Sequence, residues 1–181
     1  MWEAMSKLIL YHGTSEVCAR QIAKEGFIPD KHYNWAINSS KGFIFLSLAY
    51  APFYSLKHTG DTLAIIKVEV DTAKCYPEDD FIMRALGKPV YTQEDLEQVK
   101  LKNYKTYWKN SLKAMGNVAV KARNIKILGI TYFNRKGLLL KCDPVICPAN
   151  FLVLGSYYQE MSEWLWQGKD IKDFRGMFDE S

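Results

Sequence analysis

The sequence predicts an α+β fold, and three observations carry that expectation. Apolar runs of strand length, such as Leu8-Ile9-Leu10-Tyr11 and Leu63-Ala64-Ile65-Ile66, stand beside segments whose apolar residues recur at helical spacing. Glycine, asparagine and proline bound these runs, as they do where a chain turns. At 181 residues the chain is long enough to bury one core and too short for two ordinary domains, so 1–181 reads as a single domain. With 48% hydrophobic and 24% charged residues, composition excludes disorder and low-complexity structure, and no internal repeat is evident.

The elements follow in order. Residues 8–11 read as a buried strand that stops at a His12-Gly13 turn. Thr14 or Ser15 then caps a helix over 16–24, which Gly26 closes. Residues 27–40, with Pro29, Asn34, Asn38, Ser39 and Ser40, read as a loop. Phe43-Ile44-Phe45-Leu46 is a second strand, and 49–58 a short helix with Pro52 in its first turn, where a missing N–H costs little. Residues 62–70 form the clearest strand; 76–81 read as an acidic turn leading into a short helix. A capped helix over 92–100 precedes a basic helix over 100–115. Three strands are expected at 117–121, 125–133 and 137–141, the last two joined at Asn134-Arg135-Lys136-Gly137. Beyond Pro148 the chain reads as helical around 157–166, with Tyr157, Tyr158, Trp164 and Trp166 as core or cap, and a polar tail follows Gly168.

Charge is unevenly placed. The net charge is only +4, yet no Asp or Glu occurs from Gln98 to Cys142, where eleven Lys and Arg residues fall. Lys102, Lys105, Lys109 and Lys113 recur at spacings of three and four and form a stripe along one helix side, with Tyr104, Trp108 and Leu112 on a neighbouring line. Such a stripe is either a solvated face or a contact for a phosphate backbone. Cys18, Cys75, Cys142 and Cys147 lack a CxxC pair, so they read as reduced, mostly buried thiols. His32 and His58 read as solvent-exposed and, with Cys75, show no metal-ligand spacing; no metal is expected. No apolar run approaches a bilayer span and the first residues lack the blocks of a signal peptide, so a cytoplasmic protein without membrane contact is expected.

Tyr11-His12-Gly13-Thr14 after a strand, a helix closed by Gly26, and then Lys41-Gly42-Phe43-Ile44-Phe45 before an aromatic helix form one constellation. Over roughly the first seventy residues it resembles the ADP-ribosyltransferase superfamily, in the branch of poly- and mono-ADP-ribosyl polymerases. The resemblance implies that the His12 imidazole binds the adenosine-side ribose of NAD. It implies that the Gly13 backbone grips the nicotinamide carboxamide, with Thr14 and Gly42 beside the cofactor. Ser47 or Ser55 would face the nicotinamide and Tyr54 or Tyr50 would stack on it, because Ile44 stands where the family has a strand tyrosine.

The chemistry asks for such a clamp. Breaking the nicotinamide–ribose bond passes through an oxocarbenium-like cation, favoured by holding the leaving amide and by negative charge near the sugar. A side-chain-free glycine and a flat aromatic wall suit the clamp. A carboxylate that bonds the ribose 2′-OH and activates the nucleophile is the third part. In the family it opens a late strand; the matching segment, Gly116-Asn117-Val118-Ala119-Val120, has no acid. Asp80, of the cluster Glu78-Asp79-Asp80, is the expected substitute, aimed by the turn at Pro77, unless those acids only cap the following helix; Asn117 is a further bonding partner for the ribose.

The resemblance therefore implies a split β-sandwich: two small, mostly antiparallel sheets facing one another across a NAD cleft, with a helical insertion at about 81–115 and a C-terminal helical cap at about 148–181. It implies an NAD-dependent transferase that passes ADP-ribose to a macromolecule and releases nicotinamide, with NAD as co-substrate. Nucleic acid, RNA or DNA, is the favoured acceptor because the acid-free stretch adjoins the cleft. A protein acceptor, or a non-catalytic module binding ADP-ribose or nucleic acid, are the alternatives. Likeness alone implies a bacterial or phage conflict toxin with a cognate inhibitor or antitoxin.

Overall fold

The structure, a computed structural model, describes residues 6–29, 42–86, 105–141 and 151–175. Strand β1 (Lys7–Ser15) leads into helix α1 (Glu16–Glu25), whose N-terminus is capped by Ser15 accepting from the Cys18 amide and whose end is Gly26 at φ 75°. Strand β2 (Phe43–Ser47), helix α2 (Ala51–Ser55) and strand β3 (Thr62–Asp71) follow. Strand β4 (Cys75–Pro77), helix α3 (Asp79–Leu86), helix α4 (Trp108–Met115) and strand β5 (Asn117–Lys121) come next. Strand β6 (Ile125–Asn134), helix α5 (Arg135–Leu139) and helix α6 (Phe151–Trp166) complete the described order, α6 being followed by a single helical turn at Ile171–Asp173.

All six strands lie in one antiparallel sheet, in the order β4-β5-β2-β1-β3-β6. The α+β class holds. Instead of two separate sheets, the structure has one that nearly comes apart in the middle. β1 pairs with β3 from Lys7↔Asp71 to Ser15↔Leu63, but meets β2 at the single register pair Tyr11↔Ser47.

Alternation along the strands divides the core into two layers. Tyr11, Leu63 and Ile65 face α2 and α6, where Tyr50, Phe53, Tyr158, Met161 and Leu165 are buried against them. Leu10, Ala64, Ile66, Val118 and Val120 face the other way, toward Ala19 of α1 and the half-buried Trp108 and Leu112 of α4. Tyr157 and Tyr158 are therefore core, and Trp164 is half-buried at its edge.

Several expectations need correction. His12-Gly13 is no turn: β3 is long enough to pair His12 with Ile66 and Gly13 with Ile65, so β1 runs on to Ser15. Tyr76-Pro77 is not turn but the end of edge strand β4, held by Ala119 and Val118 of β5. Residues 137–139, expected in a strand, lie in α5; the Asn134 side chain accepts from the Gly137 amide, capping a helix before a strand can pair. The basic helix begins at Trp108, after a helical turn at Lys105–Tyr107. The helix expected over 92–100, the loop core at 30–41, Tyr104, Cys142, Cys147 and His32 lie outside the described residues.

Candidate functional site

The site is built where β1 and β2 part. The Leu48 amide bonds the Gly116 carbonyl, so by alternation the backbone groups of Leu46 and Ile44 also face β5 and those of Phe45 and Ser47 face β1. Across the gap, Tyr11 and Gly13 face β2 in turn. After Tyr11↔Ser47 the next pair would be Gly13 with Phe45, and that register pair is not formed. The His12 ring takes the Phe45 carbonyl instead, at 3.1 Å from Nδ1. A carbonyl only accepts, so Nδ1 carries the proton and Nε2 presents a lone pair. Burial pulls the imidazole below the ordinary histidine value, only partly offset by the Phe45 bond, so the ring is neutral at pH 7. Phe27 packs edge-on against it at 5.2 Å.

Gly13 lies under α2. A Cβ there would sit 1.8 Å from the Ala51 carbonyl oxygen and 2.9 Å from the Ser55 nitrogen. The missing side chain lets a helix backbone settle on the strand, while the strand's own amide and carbonyl point into the gap.

α2 crosses from Gly13 to the start of β5. Its Tyr54 hydroxyl accepts from Asn117 Nδ2 at 2.7 Å. Asn117 is 4% exposed, and its Oδ1 has no hydrogen-bond partner among the described residues. A buried, unmatched acceptor costs about 1–3 kcal/mol, so it marks a place where a donor belongs. Behind it, the Glu78 amide donates to Ser111 Oγ at 3.0 Å and that hydroxyl donates to the Asn117 carbonyl at 2.8 Å. Burial raises the Tyr54 phenol well above its ordinary value; the negative charge of Glu78 adds most to this, and that of Asp80 adds less.

The expected site residues divide. Tyr54 and Asn117 meet on the α2 face, where Gly13 also lies under α2, whereas the His12 ring is on the α1 face against Phe27. Asp80 stands in the first turn of α3 near Tyr54, together with Asp79. Tyr50 is 1% exposed and packs on Tyr158, so Tyr54, half-buried, is the ring that fronts the site. Ser47 Oγ accepts from the Ala49 and Tyr50 amides and Ser55 Oγ donates to the Pro52 carbonyl, so both hydroxyls hold α2 in place. Thr14 is buried on the α1 side of the sheet, and Gly42 supplies a positive φ of 77° before β2. Ile44 packs into the α1-side layer, away from α2. Lys109 and Lys113 are exposed on α4; helical spacing turns them to the side opposite Ser111. Lys102 lies outside the described residues, and of Lys105 only the backbone turn is described.

Sequence reasoning misses Ser111 and the alignment of Glu78 with Asn117, since both depend on the β4–β5 register. Among the described residues no cluster of His, Cys, Asp and Glu could hold a metal ion, and no helix is long and apolar enough to cross a membrane. No protein-family model, curated protein or solved structure matches this chain.

Proposed function

We propose that this protein is an NAD-dependent ADP-ribosyltransferase acting on a macromolecular acceptor. The observation that carries the reading is the unzipped β1–β2 edge, where the His12 ring bonds the Phe45 carbonyl on the α1 face, the Gly13 backbone faces β2, and the Tyr54–Asn117 pair lies on the α2 face. Nε2 suits a ribose hydroxyl, the strand groups of Gly13 suit a carboxamide that both donates and accepts, and the Tyr54 ring suits a flat heterocycle. Nucleic acid is the proposed acceptor, supported by the acid-free stretch from Gln98 to Cys142 and by exposed Lys109 and Lys113. The roles of conflict toxin and of an antitoxin partner rest on the sequence resemblance.

Calorimetry with NAD, together with labelled NAD offered to RNA, DNA and lysate, tests this reading. Heat of binding, nicotinamide release and label in the nucleic-acid pool are expected, and His12→Ala removes all three. Label in protein alone moves the acceptor to protein. A binding module is the second reading, favoured by Asn117 standing where β5 would carry an acid; NAD or ADP-ribose binding without nicotinamide release selects it.

A further inference from the structure

We propose that Glu78, reaching in from the end of β4, is the carboxylate of this cleft, taking the proton of the incoming nucleophile while Asn117 Oδ1 holds a ribose hydroxyl. The inference rests on the transferase reading above. Register carries it first: Pro77↔Val118 is the last pair of β4 with β5, so Glu78 follows it beside Asn117, whose side chain alternation turns to the α2 face of the sheet. Glu78 lies one residue past β4, where the Ser111 hydroxyl stands between its amide and the Asn117 carbonyl in place of a direct ladder bond, and α3 begins at Asp79. The second observation is the bond chain from the Glu78 amide through Ser111 Oγ to the Asn117 carbonyl, which fixes the two backbones to each other. The third is the buried Asn117 Oδ1 without a hydrogen-bond partner among the described residues; Glu78 Oε2 is buried as well. The acid that β5 lacks is thus supplied from the neighbouring strand. The stronger effect of Glu78 than of Asp80 on the Tyr54 phenol agrees with this choice.

In the transfer, the bond from C1′ to the nicotinamide nitrogen breaks and its electron pair goes to the ring, which leaves as neutral nicotinamide. A lone pair of the acceptor forms the new bond to C1′. The proton that the acceptor atom carried passes to a Glu78 oxygen and on to water. The same negative charge stabilises the cation developing at C1′.

The test compares the full-length protein with E78Q, E78D and D80N, following nicotinamide release, acceptor labelling and NAD affinity by calorimetry. E78Q is expected to lower kcat by about 10²–10⁴-fold, the usual weight of a general base. Its NAD affinity should stay within about threefold, or about 0.65 kcal/mol. E78D, which keeps the charge, retains more activity than E78Q, and D80N loses less than E78Q. A kcat for E78Q within about threefold of the parent overturns the proposal, as does equal loss in E78D and E78Q or a larger loss in D80N. If the parent releases nicotinamide and E78Q matches it, Glu78 is excluded and the transferase reading stands. If the parent neither binds NAD nor releases nicotinamide, both fall.

Discussion

Gly13→Ala separates a packing role from a conformational one. The backbone at Gly13 is ordinary extended strand, paired with Ile65, so alanine meets no torsional penalty there. The cost comes from contact. The new methyl would lie 1.8 Å from the Ala51 oxygen, 2.7 Å from the Ala51 carbonyl carbon and 2.9 Å from the Ser55 nitrogen, against the 3.4 Å at which ordinary contact begins. All three atoms are backbone, so no rotamer change relieves them; α2 must lift by about 1.6 Å or β1 must bow. Overpacking of this kind costs typically 1–3 kcal/mol, and a contact with main chain belongs at about 3. For a chain of this size that lowers Tm by about 6–12 °C. Urea and thermal unfolding of parent and variant measure it. Because α2 also carries Tyr54, the lift draws the phenol away from Asn117, and under the proposed function NAD affinity is expected to fall with stability. A Gly13→Ala protein within about 0.5 kcal/mol of the parent refutes the close approach of α2 and, with it, the packing requirement for glycine at this position.

Three further outcomes are expected. His12 has its pKa lowered in the folded state, so between that value and the unfolded 6.5 the unfolded chain binds more protons; its contribution is complete above about pH 6.5 and is lost as pH falls toward the folded value. His12→Asn flattens that limb in pH-dependent unfolding, and an unchanged limb assigns it to other groups. Tyr54→Phe leaves Asn117 Nδ2 without its acceptor and costs about 1–3 kcal/mol in urea unfolding; a loss below about 0.5 kcal/mol removes this bond from the site. Replacing Lys109 and Lys113 together with Glu is expected to weaken RNA or DNA binding and to reduce the slope of log K against log salt by about two. An identical slope in the variant assigns these lysines to a solvated face.

What local chemistry controls was legible before the structure. Ser15 and Gly26 delimit α1 because a hydroxyl at one end and a left-handed residue at the other satisfy that helix's own orphan groups. Residues 43–46 and 62–70 read as strands because their apolar character is set by burial on one sheet. The errors fall where a partner decides. His12-Gly13 looks like a stop until β3 is seen running alongside, and Gly13 serves the α2 backbone instead of a turn. The apolar run at 138–140 suggests a strand, but Leu139 and Leu140 are exposed and only Leu138 is buried, as a helix on the sheet's edge allows. Cys75–Pro77 is too short to announce itself as a strand, and β5 recruits it. For the same reason the choice among Glu78, Asp79 and Asp80 could not be made from their order alone. The choice of Glu78 proposed above rests on a register between two strands separated in the chain by the whole of α3 and α4.

That register also explains why polar groups survive on a face otherwise packed with aromatic and aliphatic side chains. Glu78 follows β4 beside Asn117, and from Asn117 the row continues through Ser47, Tyr11 and Lys67 to Gly129, crossing five of the six strands. A single polar line through a core is stable only where each group meets a partner. Most of this one is matched internally. Ser47 holds the entry to α2; Tyr11 donates to Glu163 of α6; Lys67 approaches Glu163 at 3.8 Å and lies over the Trp166 ring; and Gly129 gives that ring its space. Burial, reinforced by Glu163, raises the Tyr11 phenol, so it remains a neutral donor. These contacts anchor α6 to the β1-β3-β6 half of the sheet, while Tyr54 with Asn117 and Ser111 with Glu78 hold α2 and α4 to the other half. Asn117 Oδ1, without a partner among the described residues, then falls beside the point where the halves part. Among the described residues the fold satisfies its polar row on the closed side and leaves one buried acceptor without a partner at the seam, so its unspent hydrogen-bonding capacity is concentrated where β1 and β2 part.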